Sequence, residues 1–348
     1  MAYTTVNNPD SVFKVKLYTG NGSSNAITGV GFQPDFVWLK NRGSTGDNLV
    51  QDVVRGPNKD IRTNLNSAES DNGTTHLNSF DSDGFTLGGT GGHSNANSNT
   101  YVSFNFKAGG AASSNSNGSI TSSVSVNTQK TFSIVTWTGT GANATIGHGL
   151  TTKPVMIWVK RLDASSNWKV YHREIGPDWT LVLNTNAART QETNTWQSYH
   201  PTVSAFYVGS GTEENASGSP MVAYCFGEVD GCAKGGSWRP TGTGANGGFI
   251  HTGFAPEVVL YKRYTDAGNW AIHDRTRRPK NVNGFTIQFD EDVAEFSYEN
   301  NSGYMDLLSN GFNLYGSSNG HNNGSSYYIY YAIGRPLVGT NNIPSNAR

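Results

Sequence analysis

The sequence predicts an all-β protein made of three tandem homologous antiparallel β-sandwich domains, jelly-roll or lectin-like. Three observations carry that expectation. A short apolar segment behind a proline is written three times: Pro34-Asp35-Phe36-Val37-Trp38-Leu39-Lys40, Pro154-Val155-Met156-Ile157-Trp158-Val159-Lys160 and Pro256-Glu257-Val258-Val259-Leu260-Tyr261-Lys262. Its landmarks keep their spacing, since Pro34 and Pro57 recur 120 residues on as Pro154 and Pro177, and 102 further on as Pro256 and Pro279. Glycine fills 42 of 348 positions among frequent Asn, Ser and Thr, a composition that suits many short strands joined by turns. A period above 100 residues is too long for a solenoid unit and fits a repeated domain.

Each element follows from local chemistry. Proline fixes its own φ and lacks an N–H, so it belongs at the entrance of a strand. The unbroken apolar run after it marks a strand covered on both faces. Before each copy lies Thr-Gly-X-Gly, as Thr19-Gly20-Asn21-Gly22, Thr138-Gly139-Thr140-Gly141 and Thr241-Gly242-Thr243-Gly244. Each copy closes on an aromatic strand, Tyr101–Phe106, Met221–Phe226 and Tyr328–Ile333. Phe13–Tyr18 alternates with period two, as a half-buried strand does.

The boundaries follow: an N-terminal arm at 1–12, repeat 1 at 13–110, a Ser/Asn/Gly linker at 111–130, repeat 2 at 131–231, repeat 3 at 232–339 and a polar tail at 340–348. The linker should be flexible or lie extended on a surface. The arm is read either as a frayed end or as a strap onto a neighbouring subunit. The loop from Gly88 to Thr100, almost all small and polar, should be exposed.

A formal charge of −1 with 15% charged residues argues against nucleic acid, which needs a basic face, and against an anionic membrane. No apolar stretch is long enough to span a bilayer, and the N-terminus lacks the pattern of a signal peptide, so the expected route out of a cell is not the usual secretory one. Cys225 reads as a small core residue, and a Cys225–Cys232 bridge is disfavoured.

No cluster amounts to an enzyme signature, and no catalytic, metal or cofactor residue is assigned; any binding residues are unknown at this stage. Asp81-Ser82-Asp83-Gly84 has the spacing of a calcium loop but lacks its remaining ligands, so it reads as an Asx turn. Asp290-Glu291-Asp292 with Glu295 reads as a solvated acidic loop. His172 and His273 follow the repeated Trp168 and Trp270 and fit an inherited structural strand. Arg275, Arg277, Arg278 and Lys280, with Lys160-Arg161 and Lys262-Arg263, could grip an acidic partner. A solvated edge is the stronger reading, because charges there discourage edge pairing.

Ile27–Lys40, Val54-Arg55-Gly56, Ser79–Gly88 and Phe106–Gly110 resemble an uncharacterised repeat domain of tailed-phage virion proteins, particularly marine and cyanobacterial ones, and Tyr224–Gly231 and Tyr330–Pro336 resemble the ends of later copies. The resemblance implies a non-enzymatic virion surface component, a tail fibre or tail appendage that binds a host receptor, assembled in the host cytoplasm and released by lysis. It implies contacts with other virion proteins, a host-surface glycan as a potential ligand, and a homotrimer, in keeping with the symmetry of most homo-oligomers. The alternatives are a capsid decoration protein and a polysaccharide depolymerase.

Overall fold

A computed structural model describes Val6 and residues 9–89, 91–241, 248–297, 304–316 and 321–336. The Gly242-Thr243-Gly244 part of the third turn, most of the arm and the tail at 340–348 lie outside the described residues. The chain is all-β, with several antiparallel sheets and no barrel; the described helical residues are two 3-10 turns, Pro9–Ser11 and Arg173–Ile175.

Three large sheets share one strand order. The first runs Phe13–Thr19, Thr100–Phe106, Phe36–Asn41, Leu49–Asp52, Gly56–Arg62 and Ser70–Asp71. The third runs Ala233–Trp238, Tyr328–Pro336, Phe254–Arg263, Trp270–Asp274, Phe285–Gln288 and Phe296–Ser297. The second repeats that order from Phe132–Thr138 through Pro220–Phe226 and Met156–Arg161 to Thr190–Gln191, but carries two extra strands, Ser113–Asn115 and Ser122–Val126, on its edge. Those strands come from the segment expected to be a linker. Val124 alternates inward, and the Gly109 N–H donates to Ser125 Oγ at 2.8 Å, so β-branched residues among the serines lie extended on the sheet. A small sheet lies over each large one, made of Asn25–Thr28 with Leu77–Asp81 and Gly84–Leu87, of Ala144–Gly147 with Ala205–Val208, and of Phe249–His251 with Tyr304–Leu307 and Gly311–Tyr315. Each large sheet with its small sheet is called a unit below.

The two-sided burial of the repeated strand now has a physical cause. Side chains alternate across a strand, and Phe36 and Trp38 enter a central core while Val37 and Leu39 enter a core under the small sheet. Met156 and Trp158 face the centre and Ile157 and Val159 the second small sheet; Val258 and Leu260, against Val259 and Tyr261, do the same in the third unit. The central core is therefore common to all three large sheets. Trp38 and Trp158 meet edge to face at 6.1 Å, and the third position is Leu260. An apolar cavity of about 20 Å³ lies there, lined by Trp38, Trp158, Leu260, Phe104, Phe226 and Tyr331. Val6 and Val12 are in the same core, so the described part of the arm packs on its own chain.

The units close in a ring through equivalent bonds. The Trp168 indole N–H donates to Arg62 O of the first unit at 2.9 Å, and that of Trp270 to Val182 O of the second at 3.0 Å. Asn48, at the matching place in the first unit, donates to Phe289 O of the third at 3.0 Å. The backbone repeats the pattern, with Glu69 N–H to Leu162 O, Arg189 N–H to Tyr264 O and Glu295 N–H to Arg42 O at 2.8, 2.9 and 3.1 Å.

The glycine turns are equally constrained. A Cβ on Gly20 or Gly139 would lie 2.2 or 2.1 Å from the carbonyl oxygen of Ala96 or Ala216, while Gly22 and Gly141 have φ of +69° and +68°. The facing loops are pinned by Asn95 and Asn215; Asn215 Oδ1 accepts from the Trp137 indole N–H at 3.2 Å, and its amide donates to Ala142 O at 2.7 Å. The loop at 88–100 is thus not fully exposed: Ser94 and Asn95 are buried, because hydrogen bonds replace the water they give up. Gly139→Ala should lower stability by about 2 kcal/mol or more, because backbone rather than a mobile side chain meets the methyl. Chemical denaturation would read this, and an unchanged midpoint would contradict the close approach.

Candidate functional site

Several of the charged groups singled out in the sequence serve the ring. Lys160 and Lys262 are buried, against the expectation of a solvated edge, and so is the equivalent Lys40. Lys40 Nζ donates to Gly46 O at 2.9 Å and to Glu291 O of the third unit at 3.2 Å. Lys160 donates to Ser166 O at 2.5 Å and Asn66 O of the first unit at 3.1 Å. Lys262 donates to Gly268 O and, at 2.9 Å, to Asn186 O of the second unit. Each ammonium thus caps loop carbonyls from two units. Burial pulls Lys40 and Lys160 down to about 8.

The basic cluster of the third unit is divided. Arg277 is buried between Asp274 and Glu295, with the latter at 2.8 Å. Arg275 donates to Pro256 O at 2.8 Å and Leu307 O at 2.6 Å, Arg278 lies over the Phe285 ring at 4.7 Å, and Lys280 is exposed. The acidic run is not a solvated loop throughout. Asp290 is buried and accepts from the Trp270 N–H at 3.1 Å; Glu295 joins Arg42 of the first unit at 2.7 Å. These contacts close the ring between the third and first units, where a loop seen only in sequence gives no sign of its partner.

His172 and His273 are buried in strands, one register position apart: His172 matches Asp52 and Asp274, and His273 matches Gln51 and Tyr171. The His172 Nδ1 accepts from the Glu174 N–H at 3.3 Å and its Nε2 meets Tyr330 O at 3.2 Å. Asp83 accepts from the backbone of Gly29 and Gly31 at 3.0 and 2.6 Å, and Asp81 from Ser79 and Thr86, as turn residues do. Among the described residues no group of three His, Cys, Asp or Glu could hold a metal ion. Cys225 and Cys232 are free and buried, and burial pushes the Cys232 thiol up to about 12.

Among the described residues, grooves open at two places on the surface. One of about 700 Å³ includes Arg173, Glu228, Asp230, Lys234, His251 and Phe254, but Arg173 and Glu228 pair with each other across it. The other, about 600 Å³, lies beside Arg278, Lys280 and Tyr304.

The surface best suited to hold a ligand is a platform on the second unit. Tyr199 is 59% exposed and Val203 is 55% exposed, and the Tyr199 and Tyr207 rings pack 5.0 Å apart at 32°. The loop beneath is fixed. Gln197 and Ser198 have φ of +53° and +57°, and the Gln197 amide donates to Val208 O at 2.7 Å and Ala144 O at 3.0 Å. Buried Trp196 packs edge to face on Tyr171 at 5.7 Å. The Tyr171 hydroxyl, whose pKa burial raises, lies 2.7 Å from Nδ1 of exposed His200 and ties that ring to the strand beneath. Tyr199 and His200 lie outside the repeated strands, and periodicity therefore gave no signal for them.

The domain of unknown function DUF7483 matches residues 8–335 as one span, and the chain belongs to that family. No curated protein and no solved structure matches it.

Proposed function

We propose that the protein is a non-enzymatic surface component of a tailed-phage virion, displayed as a tail appendage that contacts the host receptor. In this reading the three units are copies of one two-layer sandwich, joined around a shared core rather than strung in tandem. The observation that supports it is the use of the ionisable groups: Lys40, Lys160, Lys262, Arg277 and the 290–295 acids hold the ring together, while among the described residues an aromatic platform stays exposed for a partner. Rigid presentation of a recognition surface on an inert body suits an appendage. The resemblance of the repeated segments to virion proteins points the same way.

Capsid decoration is the second reading, favoured by the near-threefold arrangement, which matches the symmetry of sites on a particle. Immunogold labelling of intact particles separates them. Gold at the tail carries the appendage, gold over the head carries decoration, and unlabelled particles overturn both. Sedimentation tests the proposed homotrimer: a species three times 37.4 kDa carries it, and a 37.4 kDa species means that one chain supplies the threefold arrangement alone.

A further inference from the structure

We infer that the Tyr199 platform is a binding site for a neutral hexopyranose of a surface glycan. The inference rests on the receptor-contact reading and names the ligand class of its site. A pyranose presents a patch of C–H bonds on one face and hydroxyls at its rim. It is held by an aromatic face for the first and fixed donors and acceptors for the second. Tyr199 offers a largely exposed ring, already stacked on Tyr207, so little side-chain freedom is lost on binding. His200 offers an oriented polar ring, because Tyr171 beneath it occupies Nδ1 and leaves Nε2 for a sugar hydroxyl. Ser198 and Asn194 add exposed polar groups on the same loop.

Charge selects among ligands. From Thr193 to Ser210 there is no Asp, Glu, Lys or Arg. The loop itself offers no cation to a phosphate or an acidic sugar and no charged rim to a protein partner, and Arg173, the cation that acts on Tyr171, is paired with Glu174 and Glu228. The platform is also absent from the common plan. In the small-sheet registers Ile27, Ile146 and Ile250 face Phe85, Phe206 and Phe312, so the residue after each phenylalanine is equivalent, and it is Thr86, Tyr207 and Asn313. The fold forms without an aromatic residue at that place in two units out of three. The left-handed Gln197 and Ser198 belong to the same loop, and backbone strain of this kind clusters at ligand sites.

The test uses the full chain and methyl glycosides of glucose, galactose, mannose and N-acetylglucosamine, with methyl sialoside as the charged probe, read by saturation-transfer NMR and by titration. The expected result is binding of at least one neutral glycoside with a dissociation constant on the order of 1 mM, as a single-ring contact gives. Tyr199→Ala should weaken it about tenfold or more, His200→Ala about three- to tenfold, and Tyr199→Trp should retain it. Tyr199 is exposed, so its variants should melt as the wild type does. No neutral glycoside bound, preference for the sialoside, or affinity unchanged in Tyr199→Ala would each overturn the site. Glycoside binding by a protein missing from particles would remove the virion reading and keep the site. Labelled particles with no glycoside binding would do the reverse.

Discussion

Acidification should unfold this protein between about pH 6.5 and 4, steeply, because five of its eight histidines are buried and neutral. Burial holds His76, His148 and His321 down at about 4, and His172 and His273 at about 3. The geometry agrees with the neutral form. His148 Nδ1 accepts from the Leu150 N–H at 3.1 Å while Nε2 meets Thr202 O at 3.3 Å, so a second ring proton would meet a donor. The unfolded chain protonates histidine near 6.5. The folded pKa is depressed, so this stability is fully present above about 6.5 and is lost as pH falls toward 4. Each histidine contributes at most about 1.4 kcal/mol per pH unit, and five together about 7. Buried Asp290, Asp35 and Asp60, whose pKa values burial raises, bind protons more readily when folded and offset part of the loss. The melting temperature should therefore drop by on the order of 10 °C per pH unit below 6. His148→Asn, which keeps an acceptor for Leu150, should flatten the slope even where it costs stability at pH 7. A melting temperature level within a few degrees from pH 6.5 to 4.5 would show that the folded protein admits these charges.

How much was legible in the sequence depends on the range of the interaction. The apolar strands and glycine turns were legible because period-two burial and a Cβ-free approach are local demands. Pro34 and Pro154 stand before their strands and the first two Thr-Gly-X-Gly turns stand where expected, whereas Pro256 lies inside Phe254–Arg263 beside a register shift instead of at its entrance. The shared core was not legible, since Phe36 reads the same whether it faces its own sandwich or two neighbouring sheets. Lys160 and Lys262 were misplaced for a related reason. A lysine ending an apolar strand normally reaches water, and the carbonyls that receive these come from another unit more than 70 residues away in sequence. The serine-rich 111–130 segment carries Val124 and Val126 in an alternation too short to outweigh its composition. The Tyr199 platform sits in the part of the second unit that departs from the repeat, so the signal that exposed the fold was blind to it.

Replacing Arg277 by methionine should cost about 3–5 kcal/mol, among the largest effects of any single substitution here. The guanidinium is 1% exposed and lies between Asp274, 0% exposed, and Glu295, 7% exposed. Its Nη2 also donates to Ile272 O at 2.9 Å, and its backbone N–H to Asp274 Oδ1 at 2.8 Å. Methionine can fill much of the volume but leaves Asp274 out of water without its cation and Glu295 with Arg42 alone. The first unit has the same device, with Arg55 between Asp52 and Glu69 and an Nη2 bond to Val50 O at 3.1 Å. In the second unit the matching places hold His172, Ile175 and Arg189. Ile175 joins the central core, and Arg189 stacks on Trp179 at 4.1 Å and Tyr264 at 5.1 Å. The fold thus supports an uncharged solution at the same position, which makes the penalty one of unpaired charge rather than of missing architecture. The triple variant Asp274→Asn, Arg277→Met, Glu295→Gln should accordingly recover to within about 1–2 kcal/mol of the wild type. Urea unfolding reads both, and the shared core predicts one cooperative transition in each. If the triple variant were as unstable as the single, the hydrogen-bond geometry of Arg277, not the balance of charge, would be what the third unit depends on.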